Sequence, residues 1–370
     1  MNMRVKSSLW AGAALVTASL LLVSEIVVGA ESDVRDVLDQ PARVSERAIS
    51  SVLNSVVLAG SRLVAVGERG IVLLSDDNGR SWRQTGSVPV SATLTDVHFV
   101  SATHGWAVGH SGVVLHSNDG GETWVRQLDG RQAAQVILDD AKRRAEAHEE
   151  GAAAALRNAE YLVSDGPDKP FLGLRFVDEL NGYVVGAYGI ALATRDGGKS
   201  WQSLVKQIPN PRGKHLYQIR GEGGALLIAG EQGALFRSDD AGASFSLIET
   251  PYEGTFFGTL DLPGDGLLAY GLRGNAWRSD DGGESWGPLD MNQPNSITAS
   301  LRLAHGALLL ADEGGRLLRS NDGGQRFSAL PTKVGFSITG MAETHDGALV
   351  LSGHRGLMRV EADVIARRAE

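Results

Sequence analysis

Short, mostly apolar runs of three or four residues recur along the chain in pairs, each pair set around two glycines. Leu63–Val66 and Ile71–Leu74 flank Gly67 and Gly70, Trp106–Val108 and Val113–Leu115 flank Gly109 and Gly112, and Leu349–Leu351 and Leu357–Val360 flank Gly353 and Gly356. The same spacing returns at Gly186 and Gly189, Gly230 and Gly233, and Gly271 and Gly274, with Asp312 and Gly315 in one further copy. Two short strands joined by a two-residue turn between glycines predict a hairpin, with Gly supplying the positive φ. One more strand is expected upstream of each hairpin, as at Thr95–Val100, Leu172–Val177, Leu216–Arg220 and Leu301–Leu303.

Downstream of every hairpin except the last, at Gly353 and Gly356, lies an eight-residue pattern, Ser/Thr-x-Asp-x-Gly-x-Ser/Thr-Trp/Phe. It is complete around Asp77, Asp119, Asp196, Asp240 and Asp281, and around Asp322 it lacks only the second hydroxyl. The aspartates step by 42, 77, 44, 41 and 41 residues. One outlier aside, that is the period of a four-stranded propeller blade. Each unit then reads strand A, strand B, hairpin, strand C, box turn, strand D. A lone four-stranded sheet leaves both faces wet, and closing such units into a ring buries them. The expected fold is all-β, a seven-bladed propeller of four-stranded blades over residues 31–370. The seventh unit has little chain left after Val360, so Ala42–Ser50 is expected to supply its strand D.

The outlier step places about 35 extra residues between units two and three. Residues 131–163 read as helix, with Asp139/Arg143 and Asp140/Arg144 at i,i+4, an Ala stripe, and Gly151 as a point where it divides into a hairpin. It is either a helix along the propeller wall or an arm that docks a partner. At the N-terminus, Arg4 and Lys6 precede the apolar run Leu9–Val23, and small residues end at Ala30. Residues 1–30 therefore read as a secretory signal peptide, and the mature protein is expected to be exported, periplasmic and peripheral to the membrane.

Composition narrows the chemistry. The chain has no Cys, which excludes disulfides, thiolate metal sites and a Cys nucleophile. A net charge of −9 argues against nucleic acid as partner. Among the 35 basic residues 28 are Arg, the side chain better suited to recognition contacts. The six box aspartates recur in register, as turn-forming residues do and catalytic ones do not. They lack the further oxygen ligands of a calcium loop, so no metal and no cofactor is expected. Candidate partner-binding residues come from positions that differ between units. These are Arg69, Tyr188, Arg273 and Arg355 in the hairpin turns, with Arg175 and Arg302 on strand A; solvated charge and inter-blade ion pairing are the alternative uses of each Arg.

The box is the Asp-box, or bacterial neuraminidase repeat. Together with hairpin segments such as Gly105-Trp106-Ala107-Val108-Gly109-His110-Ser111-Gly112, it resembles the photosystem II stability/assembly factor family of Asp-box propellers over about residues 45–360. That resemblance implies a non-enzymatic propeller that binds a nascent membrane subunit through an Arg-rich face. In photosynthetic relatives it sits in the thylakoid lumen; in non-photosynthetic bacteria the relatives are exported proteins associated with membrane transporters. The helical insertion departs from the compact thylakoid form. The competing expectation is a sialidase-like glycoside hydrolase, but the Arg-Ile-Pro of that family is missing, the only Ile-Pro being Ile208-Pro209 after Gln207.

Overall fold

The computed structural model describes residues 36–366, residue 223 excepted. The signal-peptide expectation for residues 1–30 falls outside the described residues. Seven antiparallel sheets follow one another along the chain. Their strands A are Leu53–Ala59, Leu94–Phe99, Phe171–Phe176, Leu216–Glu222, Phe256–Asp261, Ile297–Arg302 and Ile338–Glu343. Each strand A packs beside the next and the last beside the first, which closes a seven-bladed ring. Six blades have four strands.

The seventh blade has three, Ile338–Glu343, Leu349–Gly353 and Gly356–Val360. Ala42–Ser50 forms no strand. It runs irregularly into a 3-10 turn at Ala48–Ser50, packed so tightly on the outer strand of blade 7 that a Cβ on Gly356 would lie 1.9 Å from the Ile49 carbonyl. The segment has the expected place, but a close backbone crossing replaces the ladder.

Ring closure rests instead on the same contacts that join every other pair of blades. Seven apolar clusters occur among the described residues, each spanning two successive blades; the one across the closure joins Leu53, Leu63, Ala65 and Leu73 to Ala342 and Val350. Strand B is buried on both faces, because both neighbouring blades press on it. Each Val or Leu so enclosed contributes about 1.5–3 kcal/mol relative to exposure.

A second set of bonds joins the strands A. Asn54 Nδ2 donates to Leu94 O at 2.8 Å, Thr95 Oγ1 to Phe171 O at 2.7 Å, and Thr298 Oγ1 to Ile338 O at 2.6 Å. Thr339 Oγ1 repeats the bond across the closure, to Leu53 O at 2.6 Å.

The hairpins correct one expectation. In blade 1 the first glycine, Gly67, is extended at φ −168°, while Arg69 and Gly70 carry the positive φ values of 56° and 71°. Gly67 lacks a side chain for another reason: a Cβ there would stand 2.1 Å from the carbonyl of Val52. The insertion forms two helices, α1 (Gly130–Glu146) and α2 (Ala152–Asp165), divided at Gly151, which takes φ 74°. Asp129 caps α1 by accepting from the backbone of Arg131 and Gln132. Ala133, Ile137, Leu138 and Ala141 pack with Trp106, Leu128, Phe171 and Ile190 on the wall of blades 2 and 3. The wall reading of the insertion therefore describes α1, while α2 leaves Tyr161 exposed.

Thr339→Val removes the closure bond without changing side-chain volume much. Urea unfolding is expected to show a loss of about 0.5–1.5 kcal/mol, matched by Thr298→Val. No change in either variant would mean that these hydroxyls do not fasten the blades.

Candidate functional site

The register of the strands defines two faces. Leu53 pairs with Gly67, so the hairpin turns and the beginnings of strands A share one face. The boxes lie on the other, since Ser75, which opens the first box, pairs with Leu63 near the strand A–B turn.

On the box face each of the six box aspartates is engaged within its own turn. In blade 1, Ser75 Oγ donates to Asp77 Oδ1 at 2.8 Å and accepts from Gly79 N at 2.9 Å. Asp77 also accepts from Ser81 N at 2.9 Å and Ser81 Oγ at 2.6 Å. The same bonds hold Asp196, Asp240 and Asp281. Asp119 repeats them with Thr123 as the second hydroxyl residue; Asp322 has only backbone donors there, because Arg326 replaces it. The Ser hydroxyl, then its backbone N–H, holds the carboxyls of Asp77, Asp196, Asp240 and Asp281 down to about 2. Carboxylates so committed are not poised to donate or accept protons at neutral pH.

The residue between Asp and Gly does something the sequence pattern did not reveal. Its carbonyl accepts a hydrogen bond from a side chain of the preceding blade in all six boxes. Arg62 reaches Gly120 at 3.2 Å, Gln127 reaches Gly197 at 2.9 Å, Arg195 reaches Ala241 at 2.6 Å and Arg237 reaches Gly282 at 3.2 Å. Arg278 reaches Gly323, and across the closure Arg359 Nε reaches Asn78 at 2.9 Å. The box glycine packs on that same neighbour: a Cβ on Gly79 would stand 2.5 Å from Val350, and one on Gly242 2.9 Å from Tyr183. Arg359 and Arg80 further meet Asp346 at 2.7 and 2.6 Å.

The hairpin face uses its arginines otherwise. Arg69, Arg273 and Arg355 are exposed, and among the described residues none of their side chains has a hydrogen bond or ion pair. Tyr188, in the matching turn of blade 3, is 62% exposed, its ring edge-on to His215 at 4.9 Å and beneath Lys169 Nζ at 5.2 Å. Other variable turn residues are occupied. Glu68, Glu231 and Glu313 accept from the backbone N–H groups of Val52, His215 and Ser296, which fixes the start of strand A.

The six candidates thus divide. Arg69, Tyr188, Arg273 and Arg355 share the hairpin face. Arg175 and Arg302 lie toward the box end of strand A, opposite Tyr183 and Leu308, Arg302 exposed and Arg175 turned into the central channel. That channel, about 340 Å³, is lined by all seven strands A. Among the described residues no cluster of His, Asp and Glu could hold a metal ion.

Fold and faces together define a seven-bladed Asp-box propeller whose boxes fasten blades and whose opposite face carries unpaired arginines. The family model described as photosynthesis system II assembly factor YCF48 matches residues 83–143 and 161–254. Over those residues, fewer than half of the chain, the protein resembles the YCF48 kind of BNR-repeat β-propeller. A comparison with curated proteins gives no match. The solved structure of YCF48 bound to D1 peptide is similar at 18% identity and TM-score 0.63, over 87% of this chain and 97% of that one. YCF48 from Cyanidioschyzon merolae gives 15% and 0.63, over 88% and 100%. A GH74 xyloglucanase from Xanthomonas campestris gives 12% and 0.61, over 89% of this chain but 54% of its own. At these identities the likeness to solved structures is one of fold.

Acid should expose the role of the boxes. Their carboxyls lie below the ordinary 3.8, so their contribution is present above that value and fades as pH falls toward 2. Asp96, pushed up to about 6 by burial against the hydrogen bonds of Ser55 and Val97, acts oppositely: its contribution is full below 3.8 and is lost as pH rises through 6. Melting temperatures are expected to peak between these limits, near pH 4–5, and Asp96→Asn should flatten the limb above the peak. Stability still climbing from pH 4 to pH 2.5 would contradict this.

Proposed function

We propose that the protein is an exported, non-catalytic propeller that holds a polypeptide segment of a membrane protein on its hairpin face, as an assembly factor or scaffold. The observation that carries the proposal is the contrast between faces. Box-face arginines are committed to neighbouring blades, whereas Arg69, Arg273 and Arg355 are exposed with no side-chain hydrogen bond or ion pair among the described residues, on the same face as an exposed Tyr188. Arg and Tyr are the residue types that dominate binding energy at protein interfaces. The family match supports an assembly role, and the solved YCF48 relative is described as bound to a D1 peptide. A periplasmic location follows from the N-terminal sequence pattern. Among the described residues no helix is long and apolar enough to cross a membrane. Partner classes that fit are a transporter or, in a photosynthetic source, a photosystem subunit.

Crosslinking followed by purification from membranes is expected to recover an integral membrane protein. Arg69→Ala, Arg273→Ala and Arg355→Ala together should cut recovery about tenfold, the effect of losing roughly 1.4 kcal/mol of binding. Undiminished recovery would remove the hairpin face from the account, and turnover of sialosides or glucans would replace the scaffold with an enzyme.

A further inference from the structure

One position of strand A is used in two ways around the ring. It is the second residue of the strand, where the pairing with strand B carries a bulge in every blade. In blades 1, 2, 6 and 7 it is Asn54, Thr95, Thr298 and Thr339, and each donates to the first carbonyl of the next strand A. Blades 3, 4 and 5 carry Leu172, Tyr217 and Phe257 there instead, all half-buried, and none repeats the bond. Tyr217 and Phe257 meet edge to face, with centroids 5.4 Å apart. The row continues outward from Tyr217 to His215 at 6.5 Å and from His215 to Tyr188 at 4.9 Å, again edge to face. His215 is fixed in the middle of it. Its Nδ1 accepts from Tyr188 N at 2.7 Å, and its own N–H donates to Glu231 at 2.9 Å. At the outer end Tyr188 takes φ 56°, a conformation that bulky side chains avoid, while its ring is 62% exposed, so packing does not account for the residue. Beyond it opens a groove of about 690 Å³ between α2 and the segment leaving blade 3, walled by Ala155, Ala159, Leu162, Ile208 and Pro209.

We propose that the aromatic row of blades 3–5 seats an extended, acidic polypeptide segment, with its apolar side chains on the rings and its carboxylates toward Arg212 and Arg273. The inference rests on the reading of the hairpin face as a polypeptide-binding surface and names the chemistry of the segment. Charge selects the acid. Arg212 lines the groove and Arg273 stands in the same blade as Phe257, and neither side chain has a hydrogen bond or ion pair among the described residues. Lys169 Nζ lies 5.2 Å over the Tyr188 ring, while Glu231 beside the row is spent on the His215 backbone. Shape selects the extended chain. The row spans no more than about 17 Å from Phe257 to Tyr188, which an extended segment covers in about five residues, with alternate side chains on one face. A glycan fits less well, because successive rings stand at 83–87° to one another and form no coplanar platform for sugar rings.

The test is calorimetric titration of the whole protein with the pentapeptide Phe-Asp-Leu-Asp-Phe, acetylated and amidated. It is expected to bind saturably. Replacing its Asp residues by Lys, or its apolar residues by Ser, should weaken binding at least about tenfold, and a xyloglucan oligosaccharide should bind more weakly still. Tyr188→Ser installs the residue that blade 2 carries at the same turn, Ser111 at φ 57°, and should weaken the peptide about tenfold with an unchanged melting temperature. Tyr217→Thr with Phe257→Thr, which installs the residue of blades 2, 6 and 7, should do the same. No saturable binding, equal binding of the Lys peptide, undiminished binding in both variants, or tighter binding of the oligosaccharide would overturn the proposal. Crosslinking from membranes separates this failure from that of the underlying reading. Recovery that falls in the arginine triple variant but not in Tyr188→Ser or the Thr pair would leave the hairpin face in place and remove the row; recovery that falls in none would remove both.

Discussion

The fold depends on one repeated hydrogen bond, donated by a side chain of one blade to the middle carbonyl of the next blade's box. A blade cannot cover its own faces, so seven blades are stable only if each is set against its neighbour at a fixed angle. Apolar burial supplies the attraction but is indifferent to small slips. A guanidinium or amide aimed at a carbonyl in a tight turn is not. The box makes that carbonyl available: Asp and hydroxyl side chains absorb the turn's own N–H groups, while two consecutive left-handed residues turn the chain, such as Asn78 at φ 62° and Gly79 at φ 81°.

This gives the arginines of the protein two occupations. One population, including Arg62, Arg195, Arg237, Arg278 and Arg359, is structural and lies on the box face. The other stands exposed on the hairpin face and is not consumed by the fold, whereas Arg175 in the channel belongs with the first, donating to Gly221 O of the next blade. A surface rich in arginine is therefore a poor guide to recognition until the structural ones have been set aside. Here the two uses fall on opposite faces because boxes and hairpins sit at opposite ends of the same strands.

Much of this was legible in the sequence for a physical reason: turns demand particular residues at particular positions. The interval between Asp240, Asp281 and Asp322 gives the blade, and the single long step between Asp119 and Asp196 locates the insertion. What escaped notice was long-range. Nothing near Arg62 signals that it bonds Gly120, or near Thr339 that it bonds Leu53, since these pairs meet only when the ring forms. The closing segment was placed correctly by counting strands but given the wrong conformation, because counting cannot see that Gly356 admits a backbone crossing. Local sequence likewise suggested that both hairpin glycines serve φ, whereas Gly67 is small because Val52 approaches it. Arg175 reads as a strand A residue from the sequence, and only the register shows that it lies at the end of that strand away from the turns.

The claim that box-face arginines hold the blades is tested most directly by comparing two triple variants in urea unfolding. Arg62→Met, Arg237→Met and Arg278→Met keep the apolar stems but remove the donors to three boxes. Together they are expected to lower the unfolding free energy by about 3–6 kcal/mol, at roughly 1–2 kcal/mol per charged hydrogen bond. The matching changes at Arg69, Arg273 and Arg355 should leave it within about 1 kcal/mol. Equal effects from the two triples would contradict the account.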